Sequence, residues 1–574
     1  RYLRRLAVKQ LEEEQDKGSL RNLYKAFKEA LVHDQTEDEF ADAFAQTITY
    51  GLLTARWTGN DQLVADGERL TRQTALKHLP AASPFLNDLF KAALSVKLDE
   101  QRGRLLWLVD DIADLLDRVD VTYVFGVGDK DSDSVTDPVI HFYEPFLAAY
   151  DKKLKKKRGV FFTPRPVVSY IVRSVHELLR KEFGLEDGLA STDTWGDVAK
   201  RIFGLKTPEG VKATDPFVCI LDPATGTGTF LFECIVVIER TMKDRWVREL
   251  KKHDRDDPEI LALWNEYVPK HLLPRLVGFE LMMAPYAIAH LKLSFKLTET
   301  GYHLRASDRL ELYMTNTLEP PAATANPGLA NMFETLARQT QTVDDIKRRK
   351  RFTTIVGNPP YAGLSANMSE HSQRLVDEYK VVDGEKLNER KLWLQDDYVK
   401  FIRNAQCAAE QAGVAVLGYV TNHSYLDNPT FRGMRQSLIE TFCQLQVLDL
   451  HGNKNRRERC PDGSEDDNVF GIRSGVSIGL MVRATCVPDE RHCRVLRKDI
   501  WGQQRAKYDW LLAHNESDTE WAELHPNSPF YLLVDQDKDN RADFEQGWKI
   551  TELMPLNSAG FITARDPFVV DFDR

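Results

Sequence analysis

The feature that most restricts the fold is a series of seven short, apolar, β-favouring segments spread over residues 217–483. They are FVCILDPA (217–224), RLVGFEL (275–281), RLELYMTNT (309–317), FTTIVGNPP (352–360), VAVLGYVTN (414–422), LQVLDLHGN (445–453) and SGVSIGLMVR (474–483). Most are apolar at successive positions and not only at alternate ones, so both faces of the sheet they build must be covered. Stretches between them, such as APYAIAHLKLSFKL (284–297) and NPTFRGMRQSLIETF (428–442), supply covering helices, the second opened by Asn428 as cap and Pro429 in its first turn. The implied fold is α/β: a doubly wound, seven-stranded, mostly parallel, Rossmann-like sheet.

At 574 residues the chain exceeds what one core supports. Residues 1–150 carry apolar positions at three- and four-residue steps, as in LRNLYKAFKEALVHD and QRGRLLWLVDDIADLLDRV, and predict a helical domain. After about residue 485 the strand–helix rhythm is lost, so the expected division is 1–150, 151–485 and 486–574. Arg1 opens the chain with neither an initiator Met nor a leader-like stretch, as expected of a piece of something longer. No apolar run approaches the roughly 20 residues of a membrane span. Seven scattered cysteines without a CxxC point to a reduced, cytoplasmic protein. Cys486, His492 and Cys493 lack a fourth ligand, and no metal is expected. There is no GxxxxGK[ST] to hold a triphosphate, and Asp383-Gly384-Glu385-Lys386 reads as loop, not as a nuclease carboxylate pair.

In doubly wound sheets ligands gather at the carboxyl ends of the strands. Here the first strand runs into Asp222-Pro223-Ala224-Thr225-Gly226-Thr227-Gly228, a turn whose glycines let the backbone approach a ligand before a helix begins. The second strand ends at Glu280, an acid suited to ribose hydroxyls, and the third at Asn316, suited to a purine edge. With no lysine for a triphosphate, the pocket fits a nucleoside without phosphates. The fourth strand ends in Asn358-Pro359-Pro360-Tyr361. An exocyclic amine on an aromatic ring is a poor nucleophile, because its lone pair is delocalised. The Asn358 side-chain oxygen and the Pro359 carbonyl can each accept one amine hydrogen, freeing that lone pair. The prolines stiffen the turn and remove competing donors, and Tyr361 offers a face for a base to stack on.

These residues resemble the S-adenosylmethionine-dependent amino-methyltransferases of DNA, in the gamma-type order of the adenine-modifying subclass. RGVFFTPRPVVSYIV (158–172) fills the Phe-Thr-Pro slot, the glycine loop follows, then Asn-Pro-Pro-Tyr, and NVFGIRSGVSIGLMV (468–482) stands for the aromatic hairpin. The resemblance implies that Thr163 lies beside the methionine end of the cofactor. It places Asp222, Ala224, Gly226 and Gly228 around its amino-acid part, Glu280 at its ribose and Asn316 at its adenine, where the family commonly has Asp. Phe470 is implied to pack against the flipped base. More broadly, the chain resembles the methyltransferase part of single-polypeptide (Type ISP) restriction–modification enzymes. That implies a coupler-like helical domain at 1–150, the methyltransferase at 151–485, and a linker with the beginning of a target-recognition domain at 486–574. A nuclease and a translocase, fused or associated, are implied outside this stretch.

The net charge of −10 speaks against nucleic acid, but the basic residues cluster at Lys152–Arg158, Lys347–Arg351 and Lys454–Arg459. Lys454, Arg456, Arg457 and Arg459 fall between the sixth and seventh strands, in a loop expected on the catalytic face, where they are candidates for phosphate contacts with double-stranded DNA. Alternatives stay open: a methyltransferase acting on a protein glutamine amide or an RNA base, or a non-catalytic module that gates a fused motor.

Overall fold

The computed structural model describes residues 1–14, 18–30, 36–59, 63–65, 67–78, 104–120, 163–305, 307–321, 334–361, 365, 367–387, 392–484, 493–536, 543, 546–548 and 550–556. Lys152–Arg158, Phe162, Cys486 and His492 lie outside these. Arg1–Leu533 form one compact unit. Val534–Arg574 form another, with a short helix at Ile550–Leu553.

All seven expected strands are present: β1 Ile220–Asp222, β2 Leu276–Glu280, β3 Glu311–Met314, β4 Thr354–Gly357, β7 Ala415–Asn422, β8 Gln444–Asp449 and β9 Val476–Arg483. Two more follow, β10 Arg494–Asp499 and β11 Ala522–Leu524, and make a nine-stranded sheet in the order β11-β10-β8-β9-β7-β4-β1-β2-β3. Only β9 and β11 run antiparallel to their neighbours. The sheet therefore continues past residue 485. Its tenth strand in chain order carries Arg494, Arg497, Lys498 and Asp499, so it lacks the apolar texture that marks the others. A separate small hairpin, β5 Val381–Val382 and β6 Glu385–Lys386, turns at Asp383 (φ +49°) and Gly384 (φ +79°), which explains the loop-like composition there.

The sheet core is Ile220, Val277, Ile355, Val356, Val416, Val420, Leu445, Val447, Ile478 and Val482, all buried. The Thr353 hydroxyl ties β4 to β1, donating to the Phe217 carbonyl at 2.6 Å and accepting from the Cys219 N–H at 3.2 Å. On one face the Arg165–Phe183 helix, started by Pro164 and stopped by Gly184 in the left-handed region, lies so close to β7 that a Cβ at Gly418 would stand 2.7 Å from Ile171. On another helix, Met283–Glu299, rest residues of the amino-terminal region: Tyr50 and Leu53 of the Glu37–Thr58 helix pack on Ala284 and Ile288, and Trp57 meets Phe295 with ring centroids 5.1 Å apart. That longer helix opens with a capping box in which Thr36 and Glu39 satisfy one another's backbone N–H.

Candidate functional site

The carboxyl ends of β1, β2, β3, β4, β7, β8 and β10 open on one edge of the sheet, because these strands are mutually parallel. The order reverses between β1 and β4, the crevice where such sheets bind nucleosides.

Asp222 closes β1 and is fully buried. Its Oδ1 accepts the Ala224 N–H at 3.2 Å, while Oδ2 has no hydrogen-bond partner among the described residues. Burial, reinforced by the nearby Glu280, holds this carboxyl well above the usual range. The glycine loop is built around Glu280. One carboxylate oxygen accepts the Gly226 N–H and the other the Met282 N–H, each at 2.8 Å, so a single side chain joins the loop after β1 to the helix after β2. Gly226 and Gly228 have φ of +55° and +81°, and a Cβ at Gly228 would lie 3.2 Å from that of Ala289.

Beyond β3, Asn316 is engaged on both sides of its amide. Its oxygen accepts the Leu318 N–H at 3.1 Å and its nitrogen donates to Asn367 Oδ1 at 2.8 Å. Asn367 in turn donates to Asp397 at 3.1 Å, and the buried Lys400 donates to Ser365 Oγ at 2.9 Å and to the Asn367 carbonyl. This polar chain fastens the segment that follows Asn-Pro-Pro-Tyr to the Asp397–Ala412 helix and to the end of β3. Asn367, Asp397 and Lys400 carry no local motif, and only the fold brings them together. Lys347, first of the basic run 347–351, is no surface charge. Its ammonium donates to the Asn316 and Glu319 carbonyls at 2.7 and 3.0 Å, and burial lowers its pKa to about 8.

The β4 end brings the expected catalytic residues to the same edge. Asn358 Nδ2 donates to Thr163 Oγ1 at 2.9 Å, which joins the Phe-Thr-Pro and Asn-Pro-Pro-Tyr segments across 195 positions of sequence. Pro359 and Pro360 follow without donors. Tyr361 is only 6% exposed, so the platform expected there is a largely covered ring, and burial raises its phenol's pKa.

Further along the edge, the loop 450–475 carries the residues expected to meet DNA. Lys454, Arg456, Arg457 and Arg459 are all exposed, and no side-chain hydrogen bond holds Lys454 or Arg457 among the described residues. Arg456 instead grips the Asp427 carboxylate with two bonds, at 2.5 and 3.0 Å, and Arg459 donates to the Gly463 carbonyl at 3.0 Å. Phe470 is half-buried, its N–H held by Asn468 Oδ1 at 2.8 Å. Phe470 and the basic residues thus share one loop, while Thr163, Asp222, Glu280, Asn316 and Asn358 gather around the crevice.

Residues 276–455 match the family model described as Eco57I restriction-modification methylase. No curated protein matches the chain. Among solved structures, the DrdV–DNA complex is similar with a TM-score of 0.63 and 20% identity, over 94% of this chain and 45% of that one. A nuclease-deletion mutant of the Type ISP restriction-modification enzyme LlaGI, with a DNA substrate mimic, gives a TM-score of 0.63 and 19% identity over 94% of this chain and 38% of that one. The ATP-dependent Type ISP enzyme LlaBIII bound to DNA gives 0.62 and 19%, over 94% and 33%. The chain therefore spans less than half the length of these structures, and at such identity the likeness is one of fold. Among the described residues, no helix is long and apolar enough to cross a membrane. Residues 276–455 are thus similar to the Eco57I restriction-modification methylases, and over nearly its whole length the chain has a fold similar to that of the Type ISP restriction–modification enzymes.

Proposed function

We propose that the chain is the methyltransferase part of a cytoplasmic restriction–modification enzyme, moving a methyl group from S-adenosylmethionine to the exocyclic amine of adenine in double-stranded DNA. The observation that carries this reading is the Asn358 amide at the end of β4, oriented by Thr163 and set beside the Glu280-braced glycine loop.

The residues present fit the cofactor. Gly226 and Gly228 allow close backbone approach, and Asp222 Oδ2 is a buried acceptor with no partner among the described residues. Glu280, whose two oxygens take the Gly226 and Met282 N–H, braces the loop at the end of β2, where a ribose is expected. S-adenosylmethionine supplies an electrophilic methyl on a sulfonium. The chain does the rest: Asn358 Oδ1 and the Pro359 carbonyl accept the two amine hydrogens, localise the nitrogen lone pair and stabilise the charge that builds on nitrogen. Once the nitrogen carries the methyl it sheds one proton to solvent. Adenine within a duplex cannot reach a strand end, so it must rotate out, at a cost of a few kcal/mol. Phe470, half-buried on the loop after β8, is the aromatic group placed to receive it, while the Tyr361 ring is largely covered. Residues 1–150 act as the coupler to a nuclease and translocase outside this stretch, and a target-recognition region lies beyond the sheet.

Methyl transfer by the full-length parent onto mixed-sequence duplex DNA, RNA and protein tests this reading, followed by nucleoside analysis. N6-methyladenine formed only with DNA is expected. Label in RNA or in glutamine, or none in DNA from a preparation that binds the cofactor, would overturn it.

A further inference from the structure

We propose that His423, His451 and Glu458 form a site for one divalent transition-metal ion of the zinc class, which fastens the basic loop 454–459 to the carboxyl ends of β7 and β8. The site stands on geometry at that end of the sheet and does not depend on the chain's methylating DNA.

One nitrogen from each histidine and one Glu458 oxygen all lie within 4.8 Å of one another. Glu458 Oε1 stands 3.9 Å from His423 Nε2, and Oε2 stands 3.9 Å from His451 Nδ1. Ligands roughly 2.0–2.1 Å from a tetrahedral zinc stand about 3.3 Å apart, so these two histidine–carboxylate contacts need to close in by about half an ångström. Both histidines are buried and Glu458 nearly so.

The outer nitrogens are arranged as metal-bound histidines require. His423 Nδ1 bonds Asp449 Oδ1 at 3.0 Å, and His451 Nε2 bonds Asp499 Oδ1 at 2.7 Å. A carboxylate on the far nitrogen fixes the tautomer, so that the near nitrogen presents its lone pair. Arg497 secures both carboxylates, at 2.8 Å to Asp449 and 2.6 Å to Asp499. The His451 ring lies against Trp501, centroids 3.4 Å apart and planes 14° from parallel, which locks its rotation.

Charge points the same way. The three carboxylates of Asp449, Glu458 and Asp499 outnumber the one guanidinium of Arg497 in this cluster. The neighbouring cations are already matched, Arg456 by Asp427 and Lys507 by Asp466. A metal cation among them offsets that excess of carboxylate. Its competitor is the Asn453 amide, whose nitrogen stands 2.9 Å from His423 Nε2 and must turn aside. The three ligands leave the fourth position to water or to an anionic oxygen.

The full chain, stripped with chelator and dialysed, is titrated with zinc against a chromophoric competitor, with metal content and thermal melting read in parallel. About one zinc per chain is expected, with a raised melting temperature and slower tryptic cleavage at Lys454 and Arg457. His451→Asn should lower the affinity about a hundredfold or more. Because that change also breaks the bond to Asp499, Glu458→Gln carries the decision, since it keeps the side chain's size and its acceptor for the Asn453 N–H, 2.8 Å away. Zinc retained at wild-type affinity by Glu458→Gln, or none bound by the wild type, overturns the proposal and leaves a hydrogen-bonded network.

Discussion

Asn358 shows how one residue's two ends divide the work. Its nitrogen donates to Thr163, and its oxygen is the end assigned to the adenine amine. Removing the oxygen removes a preorganised acceptor from the transition state, and Asn358→Ala is expected to cost roughly 10²–10³ in turnover with cofactor affinity kept. Thr163→Val keeps the shape but deletes the partner. The amide then loses that anchor, and turnover should fall by about fivefold, in line with one neutral hydrogen bond of about 1 kcal/mol. Thr163→Ser should restore it. Single-turnover methylation by the full-length parent reads all three, and Thr163→Val at the parental rate would show that the bond sets nothing. Asn358 was legible in the sequence because its signal is local, an amide followed by two prolines after an apolar strand. Asn367, Asp397 and Lys400 were not, since their relation spans two loops and a helix and exists only once β3 and β4 stand in one sheet.

At the scale of elements, the glycine loop between β1 and the Thr229–Glu249 helix separates two demands that the sequence presents as one. Gly228 meets Ala289 of the neighbouring helix, whereas a Cβ at Gly226 would find nothing nearer than 4.0 Å. Both have positive φ, at which an L-residue costs roughly 1–2 kcal/mol, so either alanine should lower the melting temperature. Gly228→Ala should lower it further, through the contact with Ala289, while Gly226→Ala should add a loss of affinity by occupying space kept for the ligand. Equal melting and equal calorimetric affinities for the two variants would contradict this division. The basic loop divides likewise. Neutralising Lys454 and Arg457 should flatten the salt dependence of DNA binding by about one unit per lost phosphate contact, equally for all sequences. Arg456→Ala should leave that slope alone, because its guanidinium is spent on Asp427. A slope altered as much by Arg456→Ala would return Arg456 to the contact surface. Composition located this cluster, but only the fold distinguishes an arginine that faces outward from one that pins a turn. For the same reason β10 escaped notice: its outer positions are charged, and its strand character comes from pairing with β8.

For the molecule as a whole, two buried histidines contribute to how the fold responds to acid. His176 accepts the Leu189 N–H at 3.3 Å, and burial pulls its pKa down to about 4, with Glu177 and Asp187 opposing weakly and Arg180 assisting. His290 lies fully buried against the Tyr286 ring, centroids 4.7 Å apart, and burial alone brings it down to about 3. In the unfolded chain both titrate near 6.5. Above that value neither is charged in either state, and they contribute no pH dependence. As pH falls from about 6.5 towards 4, the unfolded chain takes up two protons that the folded chain refuses, so stability declines by up to about 1.4 kcal/mol per unit for each group. Asp222 works in the opposite sense, since burial raises its folded pKa and protonation relieves a cost that the fold carries at neutral pH. It offsets only part of two histidines, so net loss is expected across that window. His290→Leu removes one of the two groups with only a small change of volume in the Met283–Glu299 helix, on which the amino-terminal helices rest. Its melting temperature should fall less between pH 6.5 and 4.5 than that of the parent chain, and a fall of equal size in both would show that the acid response arises elsewhere.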